Sequence, residues 1–218
     1  MAEAGFQTPQ RPYRASQQSG KAQLSNAVIE FLLKRKSPPI SQLKEPGPDR
    51  DQLNEMIRVA TRVPDHGLLE PWRFILFQGD ARHIVGEFLA MRAAELEGPL
   101  NPQRIEQEKA RFSRAPMVVG VVSSPKPHER IPEWEQFLSG GNAAFSLVLA
   151  AHALGFGANW VSNWYSGDAK SRAFLGLAPH ERIVGFVHIG TVSVPIPDRA
   201  RPEPASVLTE FAGPDWAV

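Results

Sequence analysis

The most apolar stretch of this 218-residue chain covers residues 143–160 and reads AAFSLVLAAHALGFGANW. It contains Ser146 and His152, and it is too short and too polar to predict a membrane-spanning helix. Near its end it contains a Gly-Phe-Gly turn, residues 155–157, which is typical of the point where a helix ends. The stretch therefore predicts a helix buried inside the protein, which forms the end of a long apolar helix at residues 133–155.

The other apolar patterns indicate helices and strands in an irregular order. Ser25 can cap the first helix, and either Asp49 or Asp51 can cap the second, whose apolar face carries Leu53, Met56, Ile57 and Ala60. In chain order we expect helix 25–37, a helix from residue 49 or 51, strand 73–77, helices 80–98 and 101–116, strand 117–123, helix 133–155, strand 159–162, helix 166–177 capped by Ser166 or Asp168, and strand 182–192. Because two helices precede the first strand and no regular βαβαβ alternation follows, the sequence favours an α+β fold over a doubly wound one.

Charge and composition argue against several classes of function. The 24 Lys and Arg are matched by 23 Asp and Glu, so the formal net charge of +1 argues against a nucleic-acid binder. The absence of cysteine removes disulfides, iron–sulfur clusters and thiol nucleophiles. Neither a Gly-rich nucleotide motif nor a Gly-x-Ser-x-Gly elbow occurs, and the six histidines are too scattered to predict a metal site. Residues 1–24 are polar without an apolar signal segment, so we expect a flexible tail on a cytoplasmic protein that does not bind membranes.

Two basic clusters lie near opposite ends of the chain. Lys34, Arg35 and Lys36 precede Ser37 where a helix gives way to Pro-Pro, and Arg199 and Arg201 lie in an extended Pro-rich arm. Guanidinium, ammonium and hydroxyl groups together suit a phosphate. The more frequent explanation for either cluster alone is a solvated basic face.

The stretch VPDHGLLEPWRFILF, residues 63–77, places an Asp-His pair where a helix breaks. Arg62 and His66 are four residues apart and would share a face if the helix continued. The simpler alternative is that Asp65 closes a turn and His66 satisfies a carbonyl group. Trp72 and Arg73 are expected to anchor the following strand to the core.

Together these stretches resemble the FMN-dependent nitroreductase family, in particular its small single-domain branch. The motifs occur in family order: KRKS, RVPDHGLLEPWRF, RAPMVVGVV, WEQFLSGGNAAFSLVLAAHALGFGANWVS and ERIVGFVHIGT. They divide the chain into a tail at residues 1–24, an FMN-binding domain at residues 25–204 and a second tail at residues 205–218. The resemblance implies a nitroreductase-like α+β fold with a mixed, mainly antiparallel sheet and an intertwined homodimer with FMN at the subunit interface.

The resemblance also implies the residues that bind cofactors. The FMN contacts from one subunit would be Arg35, Lys36, Ser37, Trp160, Val161, Ser162, Arg199 and Arg201. The other subunit would add Arg62 and His66. A segment linked to nicotinamide would comprise Ala150, Ala151, His152, Ala153, Leu154 and Gly155. Two residues depart from the family pattern, because Lys36 replaces an arginine of the phosphate motif and Val161 stands where relatives often have arginine.

The implied reaction is a ping-pong transfer in which NADH or NADPH reduces FMN and an electron-poor acceptor, such as a nitroaromatic or a quinone, then receives the hydride. The cofactor performs this chemistry, so we assign no catalytic side chain. Two alternatives remain open. One is an FMN-binding member that carries out a different redox reaction, and the other is a cofactor-free dimeric interaction protein on the same scaffold.

Overall fold

The computed structural model describes residues 21–213, which divide at residues 35 and 36 into two compact units. In the first unit, helix α1 covers Lys21–Lys34. The predicted bounds, 25–37, were therefore wrong at both ends, and Ser25 lies inside the helix instead of capping it. Of the predicted tail at residues 1–24, residues 1–20 lie outside the described part, and the remainder belongs to α1.

The second unit contains the other elements in the order expected from the sequence. They are α2 (Arg50–Ala60), β1 (Trp72–Phe77), α3 (Asp80–Glu97), α4 (Pro102–Lys109), β2 (Met117–Ser123), α5 (Glu133–Ala153), β3 (Gly157–Val161), α6 (Ala169–Phe174) and β4 (Arg182–Gly190). Helices α4 and α6 are shorter than predicted. Asp49, not Asp51, caps α2 through a reciprocal bond with Gln52, and Asp168, not Ser166, caps α6.

The four strands form one sheet in the order β1-β2-β4-β3, and each of its three pairings is antiparallel. Strand β2 is buried along its whole length because helices cover both faces of the sheet. On one face Val119 and Val121 pack with residues of α2 and α5, and on the other Val118 and Val122 pack with residues of α3. The architecture confirms the predicted α+β class.

Only one side of helix α5 packs against the sheet. Small and branched residues on that side are buried: Ala143, Ala144, Leu147, Val148 and Ala151. Trp134, Leu138 and Phe145 are exposed in the single chain, so the expected burial applies to one side of the helix. Between Lys21 and Gly213, no helix combines the length and apolar character needed to cross a bilayer.

Strand β1 is anchored as the sequence predicted. The Trp72 indole donates a hydrogen bond from Nε1 to Ser139 Oγ at 3.1 Å. The Arg73 guanidinium donates to both carboxylate oxygens of Glu181, with Nε···Oε1 and Nη2···Oε2 distances of 2.7 and 2.6 Å. Because these partners lie on α5 and directly before β4, they fix β1 to the rest of the sheet.

Candidate functional site

Lys36 connects the start of the second unit to the C-terminal arm. Its ammonium group donates to the carbonyl oxygen of Ile196 at 2.7 Å, across 160 residues of sequence. Arg199 and Arg201 follow a few residues along the same arm. Lys36 and the arm therefore meet within one protomer.

Residues after Lys36 lie against strand β3. The Asn159 side-chain amide donates to the carbonyl oxygen of Pro38 at 2.7 Å. A Cβ atom on Gly157 would lie 3.1 Å from Pro38 Cγ and 2.3 Å from Val192 Cγ2, so there is space only for glycine. The predicted phosphate segment and the predicted segment 160–162 are thus neighbours.

Trp160 and Val161 point to opposite faces of β3, as neighbouring strand residues do. The Trp160 side chain lies over Gly185, where an added Cβ would be 1.9 Å from the indole Nε1, yet the residue remains 39% exposed. Val161 packs instead against the core cluster formed with α3. Ser162 is exposed immediately after the strand. A ligand above this edge of the sheet can therefore reach the Trp160 ring, whereas the Val161 side chain is turned into the core.

Arg199 and Arg201 are exposed on the arm. Arg201 donates from Nη1 to the carbonyl oxygen of Arg199 at 2.7 Å, and its Nη2 lies 3.3 Å from the Asp198 carboxylate. Both arginine side chains therefore belong to a short extended segment that starts at the Lys36 contact. Lys36, Arg199 and Arg201 supply three positive charges here, against two negative charges from Asp198 and Glu203 on the arm.

The predicted pair Arg62 and His66 does not share a helical turn, because α2 ends at Ala60. Arg62 lies in the turn after the helix and His66 opens a separate one-turn 3-10 helix, residues 66–68. The Asp65 carboxylate accepts hydrogen bonds from the backbone amides of Leu69 and Glu70 at 3.1 and 2.8 Å. The expected turn closure by Asp65 is thus confirmed, and it holds a loop that includes Gly67 in the left-handed region at φ 73°.

His66 pairs with a carboxylate and not with a carbonyl group. Its Nδ1 lies 2.6 Å from Glu135 Oε1, at the N-terminal end of α5. The two side chains line a cavity of 160 Å³ together with Pro64, Ile131 and Asn142. Glu135 was missed as a site residue, although it stands in the WEQ motif, because its partner is 69 residues away in the sequence.

The segment predicted to contact nicotinamide divides into a buried part and an exposed part. Ala150 and Ala151 are 4% and 0% exposed and belong to the core between α5 and the sheet. Ala153, Leu154 and Gly155 are exposed at the end of α5, and His152 is half-buried. Gly155 has φ 86°, and the backbone amides of Gly155 and Phe156 return to carbonyl groups of the last turn, so this end of the helix is a regular glycine cap.

Comparison with known proteins shows the family to which the chain belongs. A family model described as the nitroreductase family matches residues 11–191. The chain belongs to the nitroreductase family. Membership in this family identifies the protein as an oxidoreductase.

Two kinds of nitroreductase relative support that assignment. An Escherichia coli K12 protein with the provisional name NAD(P)H nitroreductase YdjA is 30% identical over 185 residues, which cover 84% of this chain and 99% of the relative. The crystal structure of a nitroreductase-like family protein from Bacillus cereus superposes with a TM-score of 0.75 at 23% identity and covers 85% of this chain and 96% of that one. A nitroreductase with bound FMN from Bacteroides fragilis superposes with a TM-score of 0.63 at 20% identity, over 84% of this chain and 97% of that one. These structures identify the nitroreductase-like fold predicted from the sequence.

Proposed function

We propose that the protein is an FMN-dependent NAD(P)H oxidoreductase that acts by a ping-pong mechanism on an electron-poor acceptor such as a nitroaromatic or a quinone. The observation that carries the proposal is the contact between Lys36 and the arm beside strand β3. The contact puts the Lys36 ammonium group on the arm that carries two arginines, and strand β3 next to Pro38 carries a half-exposed indole. Such a donor set would suit a phosphate attached to a planar ring.

Lys36, Ser37, Arg199 and Arg201 would hold the phosphate of FMN. An ammonium group supplies a compact point charge, and each guanidinium supplies a planar fork that can bind two phosphate oxygens at once. Lys36 is half-buried and already directed by the Ile196 carbonyl, so little side-chain freedom is left to lose on binding. Arg35, the residue before Lys36, stays in the proposed phosphate set on sequence grounds alone.

Bound FMN supplies the redox chemistry, since a flavin can accept a hydride from a nicotinamide and pass it to a second substrate. The chain's own contribution is to orient the ring and exclude water. The Trp160 indole offers a flat apolar surface whose position is fixed by its contact with Gly185, and the Ser162 hydroxyl offers a donor or acceptor next to it. For the nicotinamide, the exposed residues Ala153, Leu154 and Gly155 are the accessible part of the proposed segment.

We infer a homodimer from the separation of the proposed contacts. Lys36 lies near the C-terminal end of α5, through Pro38 and Gly157, whereas His66 binds Glu135 at its N-terminal end. A helix of 21 residues is about 30 Å long, so His66 and Lys36 of one chain are too far apart to bind the same flavin. Arg62 and His66 of a second chain would instead complete the site.

An exposed apolar face on α5 supports the same conclusion. Trp134, Leu138 and Phe145 are 65%, 57% and 42% exposed, and their spacing places them along one side of the helix. Soluble monomers rarely expose contiguous large apolar side chains of this kind. A second copy of the chain would cover them and bring its own Arg62 and His66 to the flavin.

The test is a visible absorption spectrum of the purified protein, recorded before and after adding FMN and then NADH or NADPH without oxygen. We expect a flavin spectrum that bleaches with the nicotinamide and recovers with a quinone or nitroaromatic acceptor. Lys36→Gln should weaken FMN binding about tenfold by removing one charge-assisted bond. Lys170→Gln, which removes an exposed lysine paired with Glu95, is the matched control and should leave FMN binding unchanged.

The outcome separates this proposal from its two alternatives. Bound FMN that no nicotinamide reduces would favour a different redox reaction on the same scaffold. A protein that ignores added FMN would favour a cofactor-free interaction protein and would refute the flavin site. Initial rates that give intersecting double-reciprocal lines, where ping-pong transfer requires parallel ones, would contradict the mechanism alone.

A further inference from the structure

A basic cavity is lined by residues other than those proposed to hold FMN. Its volume is 310 Å³, and its wall is formed by residues 41–45, by the segment between α4 and β2, and by Arg82 from the first turn of α3. Three of the lining residues are positively charged, Lys44, Arg82 and Arg114, and one is negatively charged, Glu45. The FMN proposal uses none of these four side chains, although Arg114 is the first residue of the RAPMVVGVV motif.

Parts of the cavity are fixed in place by the surrounding backbone. The half-buried Arg82 guanidinium donates from Nη1 to the carbonyl oxygen of Ala115 at 2.5 Å and from Nε to that of Gly79 at 3.4 Å. Lys44 forms an isolated antiparallel bridge with Thr191, with N···O distances of 2.9 and 2.8 Å in the two directions. A ligand would therefore meet cationic groups on a framework that is already ordered, which lowers the entropy cost of binding.

The positive charge of the cavity is not neutralised by neighbouring carboxylates. Throughout residues 21–213, ion pairs involve many arginines and lysines, but none involves Lys44, Arg82 or Arg114. Glu45 directs Oε2 to the backbone amide of Gly47 at 3.1 Å. Three cations against one carboxylate leave an excess of two positive charges around the cavity.

The positive charge of Arg114 also acts on the buried His188 ring. His188 is 0% exposed in β4, and burial, followed by the positive charge of Arg114, lowers the pKa of its imidazole to about 3. No residue of the described chain forms a hydrogen bond with either ring nitrogen. A bound anion beside Arg114 would offset part of this field.

We propose that this cavity is a binding site for a phosphate group, separate from the flavin site. A tetrahedral phosphate accepts several hydrogen bonds at once, and the cavity offers two guanidinium groups, one ammonium group and the hydroxyls of Ser41 and Ser113. The volume of 310 Å³ leaves room for the phosphate and for part of the molecule that carries it. The proposal does not depend on whether the protein binds FMN.

The probe is inorganic phosphate, titrated into the full-length protein in phosphate-free buffer and followed by calorimetry and by amide chemical shifts. We expect saturable binding with shifts at residues 41–45 and 113–116. Lys44→Gln and Arg114→Gln should each weaken binding about tenfold, because each removes one charge-assisted bond. Lys44 and Arg114 are exposed and form no ion pair among the described residues, whereas Arg82 is left intact because it bonds α3 to the segment before β2.

Two further variants distinguish this site from its alternatives. Arg130→Gln removes an exposed arginine that does not line the cavity and should leave binding unchanged. Lys36→Gln should also leave it unchanged. Loss of binding in Lys36→Gln alone would show that phosphate enters the proposed flavin site, and equal loss in Arg130→Gln would show general charge screening. Either result, or the absence of saturable binding, overturns the proposal.

Discussion

Removing the Arg73 side-chain charge should destabilise the fold through the carboxylate that it leaves behind. Glu181 is 4% exposed and accepts hydrogen bonds from Arg73 and, through Oε2, from the backbone amide of Ala178 at 2.9 Å. Arg73→Met keeps most of the side-chain length but leaves this buried carboxylate without its counter-charge. It also removes the bond from Arg73 Nη2 to the carbonyl oxygen of Gly176 at 2.8 Å.

The size of the effect follows from the ionisation of Glu181. Its hydrogen bonds to Arg73, opposed by burial and helped by the Ala178 amide, lower its pKa from 4.5 to about 2. That difference corresponds to about 3 kcal/mol of preferential stabilisation of the charged form. Because the Arg73 side chain is 39% exposed, solvent screens the pair, and we expect Arg73→Met to cost about 2–3 kcal/mol near neutral pH.

The dependence on pH gives a second, independent check. The carboxylate is more acidic in the folded state than in the unfolded state, so its contribution is fully present above pH 4.5 and is lost as the pH falls towards about 2. The difference in stability between the wild type and Arg73→Met should therefore shrink over that interval.

Urea unfolding at fixed protein concentration measures this difference, and Glu181→Gln with the double variant completes a mutant cycle. A cost below about 0.5 kcal/mol near neutral pH would refute the reasoning, because it would match an ordinary surface substitution. A cost that does not change with pH would also refute it.

Two other residues give predictions of different kinds. Gly185→Ala would place a methyl group 1.9 Å from Trp160 Nε1, so we expect a loss of about 1–3 kcal/mol in urea unfolding. Gly167→Ala, at φ −100°, would meet only the Trp164 carbonyl oxygen at an ordinary 3.9 Å and should change stability by less than about 0.5 kcal/mol. Equal effects of the two substitutions would contradict the prediction. His188 has a folded pKa of about 3 against 6.5 for a free imidazole, so the unfolded state takes up a proton first and stability falls as the pH drops between these values. His188→Phe should lose less stability over that interval, and an unchanged pH dependence of unfolding would contradict the assignment.

The order and type of the elements could be predicted because each depends on local residue patterns. The run at residues 117–123 has β-branched side chains at positions that point to both faces of a strand, and it forms a strand that is buried on both faces. The ends of elements were predicted less well, since they depend on caps and contacts. Asp49 and Asp51 were equivalent on sequence grounds, and only the reciprocal bond with Gln52 selects Asp49. Helix α2 ends at Ala60, and the four-residue spacing of Arg62 and His66 could not predict this end.

By itself, the sequence determined the α+β class, the anchoring of β1, and motifs that match the nitroreductase family along most of the chain. Those properties follow from residue type and short-range spacing. Only the tertiary structure decided that Lys36 meets the arm across 160 residues, that His66 binds Glu135 across 69 residues, and that Val161 turns into the core while Trp160 stays accessible. Such contacts arise from the packing of helices on the sheet, and packing joins positions whose distance along the chain carries no information about their distance in space.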